Sequence, residues 1–243
     1  MIILVSGEGP SDIGRVEGER FTPGAMSRLI DQLALPIWGY SVLDTDTLHF
    51  LSKTALKEAC KERKKSATFG GLKRGKGTAE FHKNAQVLAH KAQELADEQQ
   101  CAVACILFRD CDGVRASSRT RWQEKWESMK TGFQAQGFDL GIPMIPNPKS
   151  ESWILCALQE PPYQQCSQLE TLPGNDRAEG APKDLLAQEL LRQGLGDRST
   201  ANLNSLIEAG TIDALQINMP SYNAFRERFE AVLTRMLTLP QGE

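Results

Sequence analysis

Ile2-Ile3-Leu4-Val5-Ser6-Gly7-Glu8-Gly9-Pro10-Ser11-Asp12 is the stretch on which the fold turns. Four apolar residues of strand length run directly into a Gly-Glu-Gly turn, and a second carboxylate follows at Asp12. A strand that ends this way sets its charge at the rim of a sheet, where several strand ends can converge without being buried in the core. The pattern recurs once: Ile106-Leu107-Phe108 leads into Asp110 and Asp112. Two apolar runs closing on acids, with helical sequence between them, predict an α/β protein whose site lies at the carboxyl ends of its strands.

Working outward, strands are expected at residues 2–6, 37–43, 102–108 and 141–145. A helix is expected from Thr22-Pro23 to about Leu35, with Thr22 as cap and Pro23 in the first turn. Further helices are expected at residues 79–99 and 120–136, and a basic one at residues 51–65. Ser150 is read as the cap of a helix that begins with Trp153-Ile154-Leu155, which puts Glu151 in its first turn. Residues 160–182 carry Pro161, Pro162, Pro173, Gly174, Gly180 and Pro182 and read as a long loop. Helices follow at 183–193, 200–209 and 221–237, the last with Phe225, Phe229, Val232, Leu233 and Leu237 on one face. Strands alternating with helices imply a mostly parallel, Rossmann-like sheet flanked by helices on both faces. The chain divides into a core over residues 1–160, with a basic helical insertion at 51–91, and a helical extension over 161–243 packed on it.

The acids define the expected chemistry. Mg²⁺ takes oxygen ligands in a near-octahedral shell, commonly carboxylates completed by water and phosphate. In an extended stretch Asp110 and Asp112 share a side, and Cys111 between them faces the protein as packing. The glycines at positions 7 and 9 let the backbone turn sharply at Glu8 and let a phosphate approach closely. A second Asp-x-Asp occurs at Asp44 and Asp46, after the apolar stretch 37–43. The combination with Glu8 favours Asp110 and Asp112 over it.

Charge is unevenly spread. Residues 53–91 hold 11 Lys or Arg against three Glu, a net of +8, in a chain whose formal charge is −3, so the remainder carries −11. Such segregation is an electrostatic footprint for a polyanion. Lys64, Lys65, Lys73, Arg74 and Lys76 are the candidate nucleic-acid contacts, with 68–77 as a glycine-rich loop; the alternative is a solvated basic face. No Walker-type phosphate loop is present, because no Ser or Thr follows the Gly-Lys of this segment. The six cysteines form no Cys-x-x-Cys pair and only three His exist, which leaves little for a zinc site. Cys101, Cys105 and Cys156 are expected as small buried hydrophobes. No apolar run approaches the roughly 20 residues of a membrane span, and residues 1–5 are too short for a signal peptide, so a cytoplasmic location is expected.

The motifs V-S-G-E-G-P-S-D (5–12), F-R-D-C-D-G (108–113), P-K-S-E-S-W (148–153) and P-S-Y-N-A-F (220–225) resemble small stand-alone bacterial Toprim-like proteins. They are also similar to the Toprim domain of the overcoming-lysogenization-defect nucleases. The resemblance implies a Toprim-like fold and one or two Mg²⁺ (or Mn²⁺) ions held by Glu8, Asp12, Asp110, Asp112, Ser150 and Glu151. Lys149 beside the last motif would meet a phosphate oxygen. The function so implied is a metal-dependent nuclease cutting DNA, in bacterial defence against phage or mobile DNA. Two other readings stay open: a non-catalytic subunit working with a co-encoded ATPase, and an RNA-processing nuclease.

Overall fold

The two apolar runs that close on carboxylates are neighbours in space. In the computed structural model, which describes residues 1–7, 9–18, 20–66, 78–112 and 118–239, β1 (Ile2–Gly7) pairs in parallel with β5 (Val103–Phe108), Ile2 opposite Val103 and Ser6 opposite Leu107. For residues 17, 20, 63–66, 118 and 119 the backbone alone is described. On the far side of β1 lies β4 (Leu48–Ser52), and beyond β5 lies β6 (Gly141–Met144), giving a parallel sheet of order β4-β1-β5-β6. The chain runs outward from β1 to β4 and then crosses back to β5, so strand order reverses between β1 and β5. In sheets of this kind the crevice outside the carboxyl ends at that reversal is the usual ligand site.

Both faces of the sheet are covered, as the unbroken apolar runs demand. Ile3 and Val5 point to a core shared with α1 (Ala25–Trp38), α5 (Ser150–Leu158), α6 (Pro182–Arg192), α7 (Thr200–Glu208) and α8 (Pro220–Leu237). Ile2 and Leu4 point the other way, to α2 (Lys53–Ser66), α3 (Ala79–Gln99) and α4 (Ser118–Gln134). The fold is therefore α/β, a parallel four-stranded sheet with helices on either side. The C-terminal helices belong to the same hydrophobic cluster as the first strand: Trp153 of α5 meets Tyr222 edge-on at 4.9 Å and stacks on Phe225 at 5.8 Å, both from α8. Trp153 Nε1 also donates to Ser221 Oγ (2.9 Å), so the indole's polar tip is satisfied where the ring is buried. Arg228 of α8 donates through Nε to the Gly141 carbonyl (3.0 Å) and through its guanidinium to the Asp139 carbonyl, at the outer edge of β6.

Several expectations are corrected. No strand forms at 37–43: α1 continues through Pro36 to Trp38, and the apolar residues beyond it sit in a turn pinned by the Asp31 carboxylate, which accepts from Val42 N (2.7 Å) and Ser41 Oγ (2.9 Å). The strand beside β1 is 48–52 instead, and its last two residues fall where the basic helix is expected to begin. Thr22-Pro23 does not start α1. It ends β3 (Arg20–Pro23), which pairs antiparallel with β2 (Gly14–Glu17), and Gly24 caps the helix. Ser150 is the first residue of α5 rather than its cap, which is Lys149. Cys156 is not a free thiol but is disulfide-bonded to Cys166, which begins a 3₁₀ turn (Cys166–Thr171) inside the expected loop. Among the described residues no helix is long and apolar enough to cross a membrane.

Candidate functional site

The turn after β1 is built around Asp12. Gly9 has φ of +86°, in the left-handed region, and a Cβ there would lie 2.4 Å from Asp12 Oδ2. Glycine is thus required twice over, by conformation and by the closeness of the carboxylate. Asp12 N and Ile13 N both donate to the Gly9 carbonyl at 3.2 Å, closing the turn. The Ser11 and Asp12 carbonyls then accept from Ala25 N (3.1 Å) and Met26 N (2.8 Å), amides of the first turn of α1 that have no partner within the helix. The loop is in this way locked to α1, and Asp12 is fixed at the rim.

The second acidic pair is not a simple strand extension. Past β5 the backbone stays alongside residues 144–148, with Arg109 N donating to Met144 O (3.1 Å), Cys111 N to Pro146 O (3.0 Å) and Asp112 N to Pro148 O (3.1 Å). Asp112, however, has φ of +42°. Its side chain therefore leaves the alternation that would set it on one face with Asp110, an αL position that Asp tolerates better than most residues. Cys111 packs into the core as expected.

The third segment joins the other two. Ser150 Oγ donates to Asp12 Oδ1 (2.6 Å) and Ser150 N to Asp110 Oδ1 (3.0 Å). Lys149 Nζ lies 3.3 Å from Asp112 Oδ1 and 2.8 Å from Asp176 Oδ1. Glu151 faces Arg198, Oε1 to the guanidinium at 3.4 Å. Six of the residues singled out from sequence, Asp12, Asp110, Asp112, Lys149, Ser150 and Glu151, thus meet at the carboxyl ends of β1 and β5. Glu8 lies outside the described residues, although its neighbours at 7 and 9 border the site. Lys73, Arg74 and Lys76 also lie outside them, as do the side chains of Lys64 and Lys65, whose backbone belongs to α2. Asp44 and Asp46 are exposed in the turn before β4, at the amino ends of the parallel strands and so on the opposite rim.

Electrostatics mark Asp110 as the centre. Burial, then the neighbouring charges of Asp12, Glu151 and Asp112, push its carboxyl well above the usual aspartate range, with Lys149 acting in the opposite sense. Burial works to lower the Lys149 ammonium's pKa, but the hydrogen bond to Asp176 and the charges of Asp112 and Asp110 outweigh it, and the net shift is upward. Asp176 is held below the usual range chiefly by that bond to Lys149. Among the described residues no three acidic, His or Cys side chains are gathered closely enough to hold a metal. The donor types, carboxylates with one hydroxyl, are nonetheless those of a hard divalent cation. Repulsion among four acids is what such a cation relieves. Binding would require Asp12, Asp112 and Glu151 to exchange contacts with Ser150, Lys149 and Arg198.

Sequence reading missed four contributors. Asp176 and Arg198 come from the C-terminal region and reach the site only through tertiary packing. Arg109, inside a quoted motif, and Lys125 of α4 line a small pocket beside Asp110. Comparisons with protein-family models, with curated proteins and with solved structures find no match to this chain.

Proposed function

We propose that this chain is a Toprim-like nuclease, dependent on Mg²⁺ or Mn²⁺, that cuts DNA phosphodiester bonds and serves in defence against phage or mobile DNA. The observation that carries the reading is Ser150: its hydroxyl and its amide tie Asp12 to Asp110, two acids from chain segments almost a hundred residues apart. One or two ions would be held by Asp12, Asp110, Asp112 and Glu151, with Glu8 and the Ser150 hydroxyl completing the donor set. Bound there, a divalent ion supplies Lewis acidity toward a phosphoryl oxygen and a lowered pKa for bound water. The chain's own groups do the positioning. Ser150 fixes the angle between two acids, Lys149 holds Asp112 and brings positive charge to where the scissile phosphate would lie, and Arg198 keeps Glu151 at the rim. Basic residues of 53–91 would add backbone contacts indifferent to base sequence.

Incubation of the purified chain with labelled DNA and RNA in Mg²⁺, Mn²⁺ or EDTA tests this. DNA cleavage in either metal and none in EDTA is expected. Cleavage of RNA alone would move the substrate class, and no cleavage of either would end the stand-alone nuclease reading.

A second reading has its own observation. Asp112 and Glu151 already face cations of the protein, Lys149 and Arg198, as a site without metal would need. That favours a non-catalytic Toprim-like subunit of a complex with a co-encoded ATPase. Its mark would be partner binding that survives Asp110→Asn, with no cleavage by the complex.

A further inference from the structure

Two loops of the C-terminal region close on the acidic cluster, and each brings a charge opposite to that of the residue it meets. The loop 172–181, ahead of α6, is folded by Asn175, whose Oδ1 accepts from Arg177 N (3.1 Å) and whose carbonyl accepts from Ala178 N (3.0 Å). Asp176, the next residue, sets one carboxylate oxygen 2.8 Å from Lys149 Nζ and the other 3.9 Å from Lys183 Nζ. The loop 193–199, between α6 and α7, turns on Gly194 and Gly196, with φ of +67° and +87°. In it the Asp197 carboxylate accepts from Ser199 N (3.0 Å) and Asn202 Nδ2 (2.7 Å), while Arg198 reaches across to Glu151 of α5. Charges therefore alternate over the site, with Lys149 between Asp112 and Asp176, and Arg198 against Glu151. The Asp176 carboxyl is held down chiefly by its bond to Lys149, with the charges of Lys183 and Arg198 acting in the same sense.

We infer that these two loops form an autoinhibitory latch: Arg198 stands at Glu151 in place of a divalent ion, and Asp176 stands at Lys149 in place of a phosphate. The inference rests on the nuclease reading for the identity of the two ligands displaced. Each stand-in has the chemistry of what it replaces. A guanidinium answers a carboxylate's charge as a metal ion would, and a carboxylate offers an ammonium two anionic oxygens as a phosphate would. Beside the Arg198–Glu151 pair lies a cavity of about 20 Å³, room for a single water or small ion. Ser11, Asp12, Ser150, Glu151 and Arg198 form its polar wall, and apolar residues of α1, α5, α6 and α7 form the rest. The latch is also weak enough to open. The side chains of Asp176 and Arg198 are 45% and 32% exposed, and ion pairs so placed are weakened by solvent and salt. A ligand of higher charge can therefore exchange with them, which a fully buried pair would resist.

The test reads binding in the full chain, and its sign separates a latch from a support. Mn²⁺ alone is titrated into wild type and Arg198→Gln by electron paramagnetic resonance, and a labelled DNA duplex in EDTA into wild type and Asp176→Asn by fluorescence anisotropy. Each variant is expected to bind its probe about fivefold more tightly, the upper end of what one such ion pair is worth. Two variants control for a general change of charge: Lys183→Gln for the metal, and Asp184→Asn, exposed in the first turn of α6, for the DNA. Both are expected to stay within twofold of wild type. Unchanged or weaker binding in Arg198→Gln and Asp176→Asn, or equal gains in the controls, overturns the proposal. So does Mn²⁺ that binds no form of the chain, a result that favours the metal-free subunit. Tighter binding in both variants of a chain that cuts nothing would leave the latch standing and remove the nuclease. Cleavage by wild type with both affinities unmoved would do the reverse.

Discussion

Asp44-Thr45-Asp46 and Asp110-Cys111-Asp112 share a sequence pattern, and each follows an apolar stretch. One precedes a strand and the other follows one, and in a parallel sheet that difference sends them to opposite rims. At the amino rim Asp44 and Asp46 face solvent in a turn whose hydrogen bonds are local: Asp44 N bonds to Ser41 Oγ (3.0 Å) and Thr45 Oγ1 to Ser41 O (2.7 Å). At the carboxyl rim Asp110 meets Ser150 and lies under the charge of Asp12 and Glu151. A motif of two acids therefore acquires meaning from strand direction and from what a third chain segment brings to it.

The sharpest way to break the comparison is by activity. Asp110→Asn should reduce metal-dependent cleavage at least a thousandfold, about 4 kcal/mol of transition-state stabilisation. Asp44→Asn should stay within twofold, and equal losses in the two would mean that the rims are not distinguished in function. Next in size is Glu151→Gln, expected to cost about a hundredfold, roughly 2.7 kcal/mol, with substrate affinity in Ca²⁺ held within a few-fold. Ser150→Ala should cost about tenfold, roughly 1.4 kcal/mol, because it removes the hydroxyl that orients Asp12 but keeps the amide that holds Asp110. Single-turnover rates of the four variants measure these effects.

Stability sharpens the same contrast in the other direction. A carboxyl whose folded pKa is raised binds its proton more tightly folded than unfolded, so between the unfolded and folded values stability falls as pH rises. Metal-free Asp110→Asn should therefore melt higher than wild type at neutral pH, and the gap should close as the pH falls below the ordinary aspartate range. Thermal melts from pH 3 to 8 measure this gap. The smallest expected change concerns the basic segment: replacing Lys73, Arg74 and Lys76 with Ala should flatten the log-log salt dependence of nucleic-acid binding by about 0.7–0.9 per lost phosphate contact. An unchanged slope would make the basic segment a solvated face.

Strand β5, helix α3 and the two acid-bearing strand ends were legible because each is a local pattern: a continuous apolar run, a helical periodicity, a charge at a run's end. The segment 37–43 was misread because Ile37, Trp38, Val42 and Leu43 are apolar for two separate reasons, the end of a helix and the inside of an Asp31-pinned turn, which a linear scan joins into one strand. The β2–β3 hairpin escaped because its strands are only four residues each, too short to show a period. At the site, Lys149, Ser150 and Glu151 were found by family resemblance, whereas Arg198 and Asp176 were invisible: they act across tens of residues through the packing of α5, α6 and α7. Lys125 looked like one more charge on a polar helix, and only the fold reveals that it is buried.

The contact of Arg228 with the carbonyls of Gly141 and Asp139 has a consequence for how the molecule behaves among its own kind. β6 is an outer strand, and an outer strand with open carbonyls is a template on which another chain can add itself. A guanidinium delivered by the last helix occupies those acceptors, so α8 serves as a selvedge that keeps the sheet from being extended by a neighbour. Loss of this helix would turn a finished border into an adhesive one.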